Sequence, residues 1–199
     1  MSLMARPKRQ FEAWGIYHLG SRGSNRGPLF RFDGDRVAFL DRVAMVAGRY
    51  ELRWVAYCLM GNHYHAIVQT PDSRLSAAMR DLHGGFSRLC RSVYGRDAHL
   101  FKNRFWCELV DSPTYFLTAM RYIDLNPVRA GLCGHPSEWP WGSYRATVGL
   151  DRPPPFLAPE IFLRGLSPNL DVARTDYARL IDDAVTDMPA APVSDTARS

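Results

Sequence analysis

The sequence predicts an α+β domain of ferredoxin-like (RRM-like) type, an antiparallel sheet with helices packed on one face, followed by a C-terminal extension. Three observations carry this. Strand-like runs and amphipathic segments alternate in the order β-α-β-β-α-β-α. Two strand-like runs, Leu52 to Met60 and His63 to Gln69, are separated only by the turn dipeptide Gly61-Asn62, which makes them a hairpin. Leu75, Met79, Leu82, Phe86, Leu89 and Val93 step by four and three through a segment running from Ser73 to Tyr94, the stripe of a long amphipathic helix.

The elements follow in order. Trp14 to Ser21 reads as the first strand, and Arg22 to Pro28 as a turn-rich loop with two arginines. Asp33 or Asp35 would cap a helix that carries Val37, Leu40, Val43, Ala44 and Ala47 and stops near Gly48. Leu52 to Met60 is apolar on both faces and therefore reads as a central strand. In the long helix Gly84 and Gly85 each cost roughly 1 kcal/mol relative to alanine, which suggests close approach by a ligand backbone there. Arg104 to Val110 reads as a further strand. Ser112 caps the next helix with Pro113 at its first position, Phe116, Met120 and Ile123 form its buried stripe, and Pro127 ends it. Pro153-Pro154-Pro155 marks a boundary. The expected division is one domain over 4–150, a helical extension over 151–186 and a polar tail over 187–199, with Met1-Ser2-Leu3 as a leader before Met4.

Composition narrows the class. At 199 residues and 46% hydrophobic, the chain suits one well-buried domain. Its apolar runs are far short of a membrane span, so a cytoplasmic protein without a membrane partner is expected. Four cysteines without CxxC spacing read as reduced buried thiols. The net charge of +5 is uneven: the first 150 residues carry 20 Lys+Arg against 12 Asp+Glu. Such a surplus favours a polyanionic partner, nucleic acid first.

The chemistry centres on His63-Tyr64-His65. Alternate residues of a strand share a face, so the two imidazoles lie side by side and can hold one divalent cation. Taken alone, the pair reads first as two partly buried structural imidazoles. Tyr122 and Asn126 occur four apart, on one helical face distinct from the apolar stripe. Tyr122 alone could be a packing residue, and Asn126 a C-cap before Pro127. Together the four residues make a purposeful site. His63, His65 and the Asn126 oxygen would leave open positions on an octahedral Mg²⁺ or Mn²⁺ for a phosphate oxygen. The Tyr122 hydroxyl would attack in line, giving a phosphotyrosine and a free 3′-hydroxyl.

At these residues the chain resembles the single-tyrosine HUH transposases, and within them the REP-associated tyrosine transposase branch. Five blocks match in order: Tyr17 to Leu19 with Ser21 to Arg26; Ala56 to His65; Leu100 to Phe105; Arg121 to Leu132; and Trp139 to Tyr144. The similarity covers about residues 4 to 148. It implies that His63 and His65 are the metal ligands, that Tyr122 is the nucleophile, and that Asn126 stands where relatives place a polar third ligand. It implies a metal-dependent single-strand DNA endonuclease and strand transferase that recognises a palindromic hairpin. A monomer is expected rather than a dimer that exchanges the tyrosine helix.

DNA contacts are expected at Arg22, Asn25, Arg26, Arg80, Arg88, Lys102, Arg104 and Arg129, whose side chains can bind phosphates or base edges. Trp141, with Trp139 and Tyr144, could stack on unpaired bases or pack beneath the C-terminal segment. His18, on the first strand, could face the metal site, but it reads first as a satisfied core histidine, and the same holds for His83, His99 and His135. The competing reading is a non-catalytic RRM-like nucleic-acid-binding module, which would bind without metal and cleave nothing.

Overall fold

A computed structural model describes residues 10–95 and 100–188. The leader, His99 and the tail beyond Met188 lie outside them. Four strands form one antiparallel sheet: β1 (Ile16–Arg22), β2 (Arg53–Leu59), β3 (His63–Gln69) and β4 (Trp106–Leu109), in the spatial order β2-β3-β1-β4. The helices are α1 (Asp33–Tyr50), α2 (Leu75–Tyr94), α3 (Pro113–Asp124), the single turns α4 (Asn126–Arg129), α5 (Tyr144–Thr147) and α6 (Glu160–Leu163), and α7 (Leu170–Thr186). This is the α+β, ferredoxin-like arrangement expected.

Strand alternation divides the core in two. Tyr17 and Leu19 of β1 and Tyr64, Ala66 and Val68 of β3 meet Phe39 and Val43 of α1 and Met79, Leu82 and Phe86 of α2. Ala56, Cys58 and Ile67 point to the opposite face. There they meet Ala119, Met120 and Ile123 of α3 and Tyr177 and Ile181 of α7. Helices α1 and α2 thus cover one face as expected, and α3 with the C-terminal α7 partly covers the other. The fully buried tyrosine of the His-Tyr-His triplet serves the first layer, which leaves both histidines on the second.

Local signals explain most boundaries. Ser112 Oγ accepts the Tyr115 amide at 3.2 Å and Pro113 opens α3. At α1 the Asp35 carboxylate turns back to accept the amides of Arg31 (2.7 Å) and Phe32 (3.1 Å). That helix runs past Gly48 and stops where Glu51 turns left-handed at φ 55°. The first strand starts only at Ile16, after Trp14 at φ 60°.

Three expectations are corrected. Leu52 to Met60 is not a central strand: β2 lies at the sheet edge. It is buried because residues 141–143 and 156–158 close its open side, through Leu59 N to Trp141 O (2.8 Å), Ser143 N to Tyr57 O (2.9 Å) and Trp54 N to Phe156 O (3.0 Å). Pro127 does not stop the helical path. Leu125 keeps helical angles and Pro127 falls in the first turn of α4, where its missing N–H is harmless. The strand expected over 104–110 shrinks to Trp106–Leu109, because residues just before it turn toward Gly23 and Arg22. At Gly85 the space a Cβ would need is occupied by the Arg42 guanidinium of this chain, so an internal side chain rather than a ligand backbone accounts for that glycine.

Candidate active site

His63 and His65 stand on the sheet face that α3 approaches, with ring centroids 5.2 Å apart. A hydrogen bond orients the first: His63 Nδ1 lies 2.7 Å from Asn62 Oδ1. Since Asn Oδ1 can only accept, Nδ1 carries the proton and Nε2 keeps its lone pair. Asn62 is itself fixed, its amide donating to the Arg26 carbonyl at 3.3 Å. That carbonyl belongs to the turn containing Asn25 and Arg26, both left-handed at φ 51° and 58°. The turn and the His-Tyr-His triplet are thereby one hydrogen-bonded unit.

Helix α3 brings the other two residues. The Tyr122 ring is 5.0 Å from that of His65, nearly perpendicular to it, and Tyr122 is 38% exposed. Asn126 is buried and its side chain lies beside His63. Both come from the same helical path, four residues apart, and this chain supplies every group itself. The four residues picked out from sequence therefore converge.

Electrostatics leave the imidazoles neutral. Burial lowers His65 to about 3, with His63, His18 and Arg22 acting in the same direction. Burial and then Arg22 lower His63, while its hydrogen bond with Asn126 opposes them. His65 Nδ1 is buried with no hydrogen-bond partner. Two neutral imidazoles, one oriented by a carbonyl-type acceptor, and a buried amide beside them fit a divalent cation. Among the described residues no group of three or more His, Cys, Asp or Glu is placed to hold a metal ion, and the amide beside the two imidazoles is that of Asn126.

Several site residues were missed or misread from sequence. His18 takes the second of its two readings and faces the site: its ring is 5.8 Å from His65 and 6.1 Å from Tyr122. Burial lowers it to about 4, against the opposing charge of Glu108. Its Nδ1 is 3.3 Å from the Tyr115 hydroxyl, which donates to Glu108 at 2.8 Å. Trp106 completes the wall, 4.6 Å from His18 and 5.5 Å from His65. It stands opposite Gly20 in the β1–β4 register, and a Cβ on Gly20 would come within 2.8 Å of its Nε1. A glycine inside the first strand was the available signal.

The expected DNA-contacting residues fall into separate places. Arg22 ends β1 directly opposite His63, and the Lys102 amide donates to its carbonyl at 2.9 Å. The Arg129 guanidinium lies 5.6 Å from the Tyr122 ring centroid. Arg80 and Arg104 instead line a groove of about 840 Å³ between α2 and residues 100–105. Helix α2 covers the sheet face away from the histidines, so this groove is apart from the chemical site. Its walls also carry His83, Phe101 and Arg91, and no described carboxylate lines it. Arg88 lies on α2 beside Gly84 but outside that lining. Trp141 does not stand free: it packs on the core, with the Arg36 guanidinium 5.5 Å from its ring. Tyr144 is buried, and Trp139 packs against the second layer beside Arg36. Among the described residues no helix is long and apolar enough to cross a membrane.

Residues 15–126 match the family model described as Transposase IS200 like. The chain is 24% identical over 156 residues to a Haemophilus influenzae protein described as a REP-associated tyrosine transposase, covering 73% of this chain and 88% of that one. Among solved structures it is similar to a REP-associated tyrosine transposase bound to a REP hairpin, with a TM-score of 0.63 and 20% identity over 78% of this chain and 92% of that one.

Proposed function

The chain belongs to the IS200-like transposase family, and from that premise we propose that it is a metal-dependent single-strand DNA endonuclease and strand transferase. The observation that carries the reading is the placement of Tyr122 against His65, with His63 and Asn126 beside them in the same chain. His63, His65 and the Asn126 oxygen would hold Mg²⁺ or Mn²⁺, which when bound supplies Lewis-acid polarisation of a phosphate and holds it in place.

The remaining work falls to the chain's own residues. Asn62 holds His63 in one tautomer, so its free nitrogen faces the ligand. Arg22 and Arg129 flank the site and supply positive charge for the bridging and flanking phosphates. His18 and Trp106 wall the site and limit water. The Tyr122 oxygen attacks phosphorus, the bond to the 3′ oxygen breaks, and the 3′-hydroxyl leaves. A 5′-phosphotyrosine remains and conserves the phosphodiester energy for joining to a second 3′ end. The exposed edge of Tyr122 gives its proton a route to water.

The proposed partner is DNA that carries a palindromic hairpin with unpaired strand beside it, bound by a monomer. Support comes from the basic surplus of the first 150 residues, from the relative solved with a REP hairpin, and from the carboxylate-free groove with Arg80, Arg91 and Arg104. The test is a hairpin oligonucleotide with flanking strand, in Mg²⁺ or Mn²⁺. Wild type should form a covalent protein–DNA adduct and Tyr122→Phe should form none while still binding the hairpin. Normal cleavage by the variant would overturn the assignment. Binding without cleavage by either protein would favour a non-catalytic RRM-like module.

A further inference from the structure

Asp124 and Tyr177 form a buried polar contact that the chemistry above does not use. The Tyr177 hydroxyl donates to Asp124 Oδ2 at 2.6 Å, with Tyr177 fully buried and Asp124 3% exposed. The other carboxyl oxygen has no hydrogen-bond partner. A buried polar pair contributes little net stability, but it does specify one relative placement of the two elements that carry it.

The position of this pair is what matters. Asp124 lies two residues from Tyr122 and two from Asn126. Two residues correspond to about 200° around a helix, so Asp124 faces away from both. Tyr122 and Asn126 look toward the histidines, and Asp124 looks back into α7. Around the contact α7 packs through Ala173 and Ile181, and the Tyr177 ring stands 5.0 Å from Phe162. A second tie joins the same helix to the segment after α4: His135 Nε2 is 3.1 Å from Asp182 Oδ1. Helix α7 lies outside residues 15–126, the span of the family match.

We propose that Tyr177 is a positioning residue: its hydroxyl, acting on Asp124 from behind, sets the roll of α3 that holds Tyr122 over His65 and Asn126 against His63. The proposal rests on the reading of Tyr122 as nucleophile. It gives the C-terminal extension a part in the reaction without contact with DNA. Apolar packing alone lets a helix turn by a few degrees at small cost. A short hydrogen bond at one point on its back fixes that turn, and in-line attack is sensitive to displacements of this size.

The experiment measures two quantities on full-length protein with the hairpin oligonucleotide: the single-turnover rate of adduct formation and the Kd for hairpin binding. Tyr177→Phe should slow the adduct at least 10-fold and leave Kd within 2-fold. Asp124→Asn keeps an acceptor for the Tyr177 hydroxyl and should stay within about 3-fold of the wild-type rate. The double variant Tyr177→Phe/Asp124→Leu removes both polar partners, so its core is satisfied and it should melt no lower than wild type. It should nonetheless remain at least 10-fold slow, which a merely stabilising contact would not cause. A double variant as fast as wild type, or a loss confined to Kd, overturns the positioning role. Absence of any adduct from wild type overturns the nucleophile reading, and this inference falls with it.

Discussion

The Tyr122 ring meets that of His65 nearly edge-on, with centroids 5.0 Å apart and planes at 82°. One comes from a strand and the other from a helix that starts 44 residues after that strand ends. The first three predictions below concern the site built around that contact, and the fourth the opposite layer.

Removal of divalent metal with EDTA is expected to abolish adduct formation and to leave hairpin binding nearly intact. On the proposed reading the charge that would bind DNA resides in arginines and lysine, whereas His63 and His65 would contribute through the cation. His65→Ala should reproduce the loss at saturating Mg²⁺, with a rate reduced at least 100-fold. Gel analysis of the adduct beside a fluorescence-anisotropy titration separates the two effects.

Asn62→Ala should weaken metal activation without changing the ligand set. The variant loses the acceptor 2.7 Å from His63 Nδ1 and frees the ring to change tautomer. Loss of such an outer partner typically costs about 10–100-fold in metal affinity. The Mn²⁺ concentration that gives half-maximal cleavage should rise by that factor, while the rate at saturating Mn²⁺ stays closer to wild type.

Gly20→Ala should destabilise the fold and disturb the site wall together. The added Cβ would lie 2.5 Å from the Tyr64 carbonyl and 2.8 Å from Trp106 Nε1. Overpacking of this kind costs roughly 1–3 kcal/mol. A lowered urea midpoint with slower adduct formation is expected. Trp106→Phe in the same background should recover part of the stability.

The pH dependence of stability should carry a signature of His83. Its ring stacks on Phe101 with centroids 4.0 Å apart and hydrogen-bonds the Tyr64 hydroxyl at 2.7 Å. Burial lowers its pKa from 6.5 to about 3. Between those values the unfolded chain holds a proton on this residue that the folded chain does not. Its contribution to stability is therefore complete above pH 6.5 and is lost as pH falls, by about 1.4 kcal/mol per unit. Relative to wild type, His83→Gln should show a shallower loss of stability between pH 6 and pH 4, read from urea midpoints across that range.

What was legible in the sequence was local. Strand alternation put His63 and His65 on one face, a serine–proline pair at 112–113 marked the start of α3, and a four-residue spacing set Tyr122 and Asn126 together. What was not legible depended on contacts between distant segments. β2 reads as central because it is apolar on both faces, yet residues 141–143 and 156–158 supply the cover, and nothing in β2 itself announces them. Trp106 enters the site through the β1–β4 register and His18 through the β1–β3 register. Trp141, as apt for stacking on a base as for packing, is engaged by Arg36 from a helix about 100 residues earlier. The contact between Asp124 and Tyr177 spans 53 residues and joins two types that carry no pattern in sequence.

The most direct measurement of the central claim is peptide mapping by mass spectrometry of the protein after reaction with a hairpin oligonucleotide and Mn²⁺. The account predicts a nucleotide remnant linked through a 5′-phosphate to the peptide that contains Tyr122, and no modified peptide from Tyr122→Phe. A covalent nucleotide on another residue, or cleaved DNA with every tyrosine unmodified throughout the time course, would contradict it.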